Sequence, residues 1–297
     1  MNELFNACRL CPKNCRVNRN KGCLGYCHAG ANLKIAKAYL HKWEEPPITG
    51  KLGSGTIFFS NCNMRCIFCQ NYYIGEEGNG VITTVDRFKE VCLELQDKGA
   101  TNINLVTPTH YAPLIIEGVK LARRDGLKIP IVYNSSGYET VETLKLLDST
   151  VDIYLPDFKY FSNELAMKYS KCSDYLEYTQ KAIEEMIRQK PKCKFDKDGN
   201  MLEGVIVRIL IIPECTEDTK KILAYLFNKY GNNIYYSIMN QYTPIKKFKY
   251  EELNHTVSQD EYDEVINYAW DLGIRKAFIQ EEGTQSDSFI PKWDFEG

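Results

Sequence analysis

The chain has 297 residues with 37 Lys and Arg against 39 Asp and Glu, a formal charge of -2 and a pI near 6.2. That balance supplies no basic field for extended nucleic-acid binding. No apolar run of about 18 residues marks a membrane span, and twelve cysteines without a signal peptide point to a reducing cytoplasm rather than a secreted disulfide scaffold.

Residues 1-45 are expected to form a separate cysteine-rich segment, with residues 46-297 as the main domain. Cys8, Cys11, Cys15, Cys23, Cys27 and His28 place five thiols and a histidine within 21 residues. A stretch too short for its own core is ordered most readily around a metal, and these ligands suit zinc or a second iron-sulfur cluster, with free thiols in a loop-rich cap as the alternative. Four ligands suffice, so some of the six stand outside a mononuclear site. From Asn32 to Gly55 the chain reads as a connection. Trp43, Glu44 and Glu45 within it either line a pocket or pack as a surface linker, and Pro46 and Pro47 forbid a continuing helix there.

A glycine-bounded apolar run predicts a buried strand over residues 56-60. It runs into Cys62-Asn-Met-Arg-Cys66-Ile-Phe-Cys69, three thiols within eight residues. Such spacing suits three irons of a 4Fe-4S cluster, leaving the fourth iron open to a cofactor. The alternative is a zinc knuckle or reduced buried thiols. Zinc wants a fourth ligand nearby, and Asn61, Asn63, Gln70 and Asn71 supply none.

Beyond the motif, Val85, Phe88, Val91, Cys92 and Leu95 share a helix face over residues 84-98, before Gly99. A strand over 103-106 leads to Thr107-Pro-Thr109-His110 and a helix near 113-124. Strand 129-133 precedes Asn134-Ser-Ser136 and a helix over 140-147. Strand 151-155 precedes Asp157-Phe-Lys159, with helical segments between 164 and 188. After a polar turn at 196-200 come strand 205-212, helix 217-230 and strand 234-239, which ends at Asn240-Gln241-Tyr242. A capping box, Ser258-x-x-Glu261, opens a further helix, and residues 277-279 read as a last short strand. Cys92, Cys172, Cys193 and Cys215 are scattered and read as core or incidental residues.

Strand and helix alternate six or seven times, the mark of a parallel α/β architecture. A partial (β/α)6 barrel of TIM type fits this count, with a doubly wound sheet second. In both, reactive groups belong at the carboxyl ends of the strands. Arg208 is a charge inside an apolar strand, so it faces either an internal acid or a ligand carboxylate.

The Cys62, Cys66 and Cys69 motif, with Phe68 before the third thiol, resembles the radical S-adenosylmethionine (radical SAM) superfamily. Trp43-Glu-Glu-Pro-Pro, Gly53-Ser-Gly-Thr-Ile-Phe-Phe-Ser and Asn102-Ile-Asn-Leu-Val-Thr-Pro-Thr-His110 look like its pyruvate formate-lyase activating enzyme-like subgroup. The resemblance implies an oxidoreductase that reductively cleaves SAM to a 5'-deoxyadenosyl radical, drawing electrons from reduced ferredoxin or flavodoxin. The hydrogen abstracted would come from a glycine of a glycyl-radical enzyme partner. Radical modification of a small molecule, peptide or RNA is the second reading, and a non-catalytic metal-binding module the third. By the same resemblance Lys159 neutralises the methionyl carboxylate, and Asp157 orients the site or binds a monovalent cation. Phe68, Thr107, Thr109, Ser136, Arg208, Asn240 and Gln241 are further cofactor candidates. Thr107-Pro-Thr109 stands where most members carry Gly-Gly-Glu. His110 is either ligand-facing or a satisfied loop histidine.

Overall fold

The computed structural model describes residues 2-280 and Trp293. The strands are β1 (Leu33–His41), β2 (Ser54–Phe59), β3 (Val81–Thr83), β4 (Ile103–Val106), β5 (Ile131–Ser135), β6 (Ile153–Pro156), β7 (Lys194–Phe195), β8 (Met201–Leu210), β9 (Tyr235–Met239) and β10 (Ala277–Ile279). The helices are α1 (Pro46–Thr49), α2 (Tyr72–Gly75), α3 (Val85–Asp97), α4 (Ala112–Arg124), α5 (Val141–Leu147), α6 (Asn163–Ser170), α7 (Tyr175–Gln189), α8 (Thr216–Tyr230) and α9 (Gln259–Leu272).

One sheet runs in the order β10-β9-β8-β6-β5-β4-β2-β1-β3, with β7 hairpinned onto β8. Neighbours from β2 through β10 pair in parallel, and β1 and β3 pair antiparallel at the far edge. The architecture is therefore the expected α/β partial barrel, with short β10 as a seventh parallel strand. Every residue of β2 is buried, as its unbroken apolar run requires.

Local signals set the helix ends. Thr84 caps α3 by accepting from the Arg87 amide, and Phe88, Cys92 and Leu95 are its buried face. The Ser258–Glu261 capping box opens α9. Among the described residues, no helix is long and apolar enough to cross a membrane.

The edge corrects the reading of residues 32-55 as a connection. Leu33–His41 joins the sheet as β1, in register with β2 from Ile35 opposite Phe59 to His41 opposite Ser54. The expected segment 1-45 thus gives nine residues, Leu33–His41, to the main sheet. Sequence concealed this because β1 gains its ladder from β2 and β3, and Lys-Ile-Ala-Lys-Ala carries only weak strand propensity of its own.

Candidate active site

Chain direction carries every parallel strand to the same rim, and the loops there surround a cavity of ≈ 240 Å³. Cys62, Cys66 and Cys69 come from the loop after β2, Thr107 follows β4, and Asn134, Ser135 and Ser136 close β5. Asp157 and Lys159 follow β6, Arg208 ends β8, and Gln241 follows β9. Six strand ends, distant in sequence, thus face one space.

The thiol loop is bent to do this. Asn61 and Arg65 have φ of 75° and 60°, in the left-handed region that side chains seldom enter. The Met64 amide donates to Cys62 Sγ at 3.4 Å, and Ser170 Oγ donates to Cys66 Sγ at 2.9 Å. Burial pushes the Cys69 thiol up to about 12, with Cys66 and Cys62 adding to the rise. Metal binding must therefore expel protons that burial holds in place. Phe68 is buried edge-on against Tyr242 and Tyr169, so the thiol loop rests on an aromatic wall.

Opposite the thiols lies a buried charge network. Asp157 receives Arg208 Nε at 2.8 Å and pairs with Lys159, while Arg208 also reaches Asn134 Oδ1 at 2.6 Å and Glu44 at 3.5 Å. Burial alone raises the Asp157 carboxyl, but Arg208 and then Lys159 outweigh it, so the group lies below its ordinary value. Burial likewise opposes charge on Lys159, yet Asp157 and Cys66 hold it above the usual lysine range. Arg208 therefore has the internal acid that was one of its two expected partners.

Glu44 and Glu45 extend the network into an adjoining cavity of ≈ 340 Å³, which shares Arg208, Asn134 and Gln241 with the first. Glu45 is buried, which pushes its carboxyl up to about 7 while Arg208 pulls the other way. Trp43 lines the same pocket with 64% of its surface exposed, so the expected pocket lining holds for all three residues of Trp43-Glu-Glu.

Not every candidate faces the cavity. Thr107 does, with φ of 59°, a genuine outlier for a β-branched residue. That turn sends Thr109 the other way, where its buried hydroxyl donates to Glu139 at 2.7 Å. Asn240 is buried outside the lining, and its neighbour Gln241 takes the position at the rim. His110 is buried, its Nε2 lies 2.9 Å from the Ser60 carbonyl, and burial lowers its pKa to about 3. The neutral ring therefore donates from Nε2, while Nδ1 has no partner among the described residues, so the expected loop histidine is satisfied at one nitrogen. Of the scattered thiols, Cys172 is buried near Cys66, whose charge contributes to raising its pKa to about 12 after burial.

Two residues were missed. The buried Tyr175 hydroxyl accepts from the Lys159 amide at 2.9 Å and faces the carbonyls of Ser136 at 2.9 Å and Asp157 at 3.1 Å, tying two strand-end loops together. Gly137 permits the approach, since with φ of 74° an added Cβ there would lie 2.3 Å from the Asp157 carbonyl oxygen. Glu139, fully buried, is pushed up to about 8 by burial against hydrogen bonds from Thr109, Tyr133 and Ser135. A lone tyrosine or glutamate on a helix-bearing stretch gives no sequence signal for either role.

A cofactor fits this donor set. Three thiols form one wall, two cations and an acid another, and the buried Ser136 hydroxyl between them has no hydrogen-bond partner among the described residues. Among those residues, no three His, Cys, Asp or Glu side chains converge closely enough to hold a single metal ion.

A family model described as the Radical SAM superfamily matches residues 56-226, more than half of the chain. An uncharacterized protein of Methanocaldococcus jannaschii, MJ0674, is 29% identical over 280 residues, covering 90% of this chain and 75% of that protein. Among solved structures, methylornithine synthase (PylB) is similar with a TM-score of 0.51 at 18% identity, covering 73% of this chain and 60% of that one. The [FeFe]-hydrogenase maturase HydG gives 0.54 at 12% identity, with 79% and 54% covered. SuiB of Streptococcus suis, bound to S-adenosylmethionine, gives 0.51 at 10% identity, with 75% and 49% covered. This chain thus spans about half to three fifths of those structures, and at these identities the likeness is one of fold.

Proposed function

This chain belongs to the radical SAM superfamily, and on that footing we propose that it abstracts hydrogen from a glycine of a partner protein, activating a glycyl-radical enzyme. The family's chemistry uses a 4Fe-4S cluster and SAM. When bound, the cluster supplies the electron that breaks a carbon-sulfur bond of SAM, giving methionine and a 5'-deoxyadenosyl radical.

In this reading Cys62, Cys66 and Cys69 hold three irons and leave the fourth to SAM. The Ser170 hydroxyl on Cys66 Sγ steadies that ligand and tunes its basicity. Lys159 neutralises the methionyl carboxylate, with Asp157 and Arg208 fixing its position. The Ser136 hydroxyl and the Thr107 segment accept from the methionyl ammonium, replacing the acid that most relatives place there. Phe68 and Tyr242 keep water from the thiol side. Reduced ferredoxin or flavodoxin serves as donor in a cytoplasm whose reducing conditions keep the twelve cysteines out of disulfides.

The observation that carries the activase reading is Asp157-x-Lys159 standing at one strand end beside Cys66, locked to Arg208 from the next parallel strand. After anaerobic reconstitution and reduction, 5'-deoxyadenosine is expected from SAM, and Cys66→Ala is expected to abolish it. Cleavage by that variant overturns the cluster assignment. With a candidate glycyl-radical enzyme added, a glycyl doublet is expected by electron paramagnetic resonance. Its absence across all encoded candidates, with SAM cleavage intact, transfers the radical to a small molecule, peptide or RNA.

A further inference from the structure

The thiols of the amino-terminal segment are not equivalent. Cys8, Cys11, Cys15 and Cys27 line one small enclosed space together with Arg19 and His110. Cys23 is exposed and lies on none of its walls, and His28 is exposed as well. Six candidates in the sequence become four in space.

Local structure around these four is arranged for sulfur. The Tyr26 amide donates to Cys15 Sγ at 3.2 Å, and Arg19 Nη1 approaches Cys8 Sγ at 3.9 Å. At Gly25 an added Cβ would lie 2.9 Å from both Cβ and Sγ of Cys15, so only glycine lets the chain cross over that thiol. Asn14, Arg16 and His28 all have φ between 43° and 58°, left-handed backbone at three non-glycine positions in one short loop. Apart from the three-residue turn Arg19–Lys21, residues 8-27 contain no helix or strand to hold that strain.

One observation calls for an anionic occupant. Arg19 is 2% exposed, yet among the described residues its guanidinium meets no carboxylate. It bonds the carbonyls of Gly30 and His110 and leans on Cys8. A buried cation lacking a counter-charge is costly, and four thiolates around a metal carry net negative charge that would compensate it.

We propose that Cys8, Cys11, Cys15 and Cys27 bind a second 4Fe-4S cluster, with Cys23 and His28 outside the ligand set. The spacing Cys8-x2-Cys11-x3-Cys15 is that of the cubane-binding loop after β2 read in reverse, and a distant fourth thiol completes such sites. Zinc on the same four thiols is the competing occupant, and the metal count separates the two.

The site abuts the radical-generating loop. The Tyr26 hydroxyl donates to the Met64 carbonyl at 3.2 Å, Arg65 reaches back to the Tyr26 carbonyl, and His110 bonds the Ser60 carbonyl just before Cys62.

The test uses the full chain with Cys62, Cys66 and Cys69 all replaced by alanine, so its outcome is independent of SAM cleavage. After anaerobic reconstitution, about four irons and four sulfides per chain are expected, with a reduced 4Fe-4S signal in electron paramagnetic resonance. Adding Cys11→Ala or Cys27→Ser removes them, and adding Cys23→Ala does not. An iron-free triple variant, one bound zinc per chain, or equal loss through Cys23→Ala overturns the proposal. The Cys11→Ala single variant is expected to keep about four irons at the other site, which separates loss of a ligand from loss of the fold.

Discussion

The rim of the barrel and the cysteine-rich cap both gather thiols around one space, but they are held together differently. At the rim, parallel ladders fix the backbone, and Asp157, Lys159, Arg208, Asn134 and Glu44 satisfy one another from four separate segments. In the cap, left-handed loop residues and a buried Arg19 surround four thiols with little regular structure. The rim is a site that the fold builds before any cofactor arrives. With the proposed cluster bound, the cap would be a site whose folding free energy rests on its occupant.

Removing metal is the strongest way to break this comparison. Anaerobic chelation is expected to raise amide exchange in residues 8-30 by more than about a hundredfold, while β4, β5 and β6 keep their protection. Hydrogen exchange with mass spectrometry reads both regions in one experiment. Equal loosening of cap and rim would show that the rim also depends on its cluster.

Within the rim, the ion network is the next element to test. Arg208→Met leaves Asp157 with Lys159 alone and leaves Glu44 beside Glu45 without its cation. Breaking a buried pair in this way costs about 3–5 kcal/mol, which denaturant unfolding measures. Lys159→Met is expected to cost less, because Arg208 continues to hold Asp157, yet to weaken SAM binding more. A larger stability loss for Lys159→Met would reverse the assigned roles.

What was legible in sequence follows the same division. Strands β2, β4, β9 and β10 and helices α3, α4, α8 and α9 were readable because period and capping are written locally. The strand-end rule then found Cys62, Ser136, Asp157, Lys159 and Gln241 without further knowledge. It misplaced Thr109 because a single left-handed residue, Thr107, reverses the side-chain direction beyond it. It missed Tyr175 and Glu139, whose meaning lies in partners on other elements. In the cap, six candidate ligands were legible in sequence, whereas exposure was needed to set Cys23 and His28 apart from the other four.

Glu139 tests the rim from beneath, through pH. Burial raises its carboxyl to about 8 in the folded chain, well above the ordinary value of 4.5. Between these values the folded state binds the extra proton, so its stabilising contribution is complete below pH 4.5 and is lost as pH rises through 8. Each unit inside that window costs at most about 1.4 kcal/mol. Glu139→Gln keeps an acceptor for Thr109 or Tyr133 and removes the titration, so its melting temperature is expected to fall less than the parent's between pH 5 and 8. A parallel fall in both would assign the pH dependence elsewhere, with Glu45, raised to about 7, as the next group to replace.

The finest distinction concerns Tyr175, which touches no charged side chain of the network but joins the Ser136 and Asp157 carbonyls to the Lys159 amide. Tyr175→Phe preserves the ring packing against Tyr138 and Tyr160 and deletes only the hydroxyl. The loss is expected to be about 1 kcal/mol in stability, the net worth of an ordinary hydrogen bond. If the hydroxyl positions the two loops, SAM affinity falls by about fivefold while the iron content of the Cys62 site stays unchanged, because Ser136 and Lys159 drift and the thiols do not. Equal affinity in the two proteins would mean that the ladders alone fix the rim, and the contrast with the cap would be sharper still.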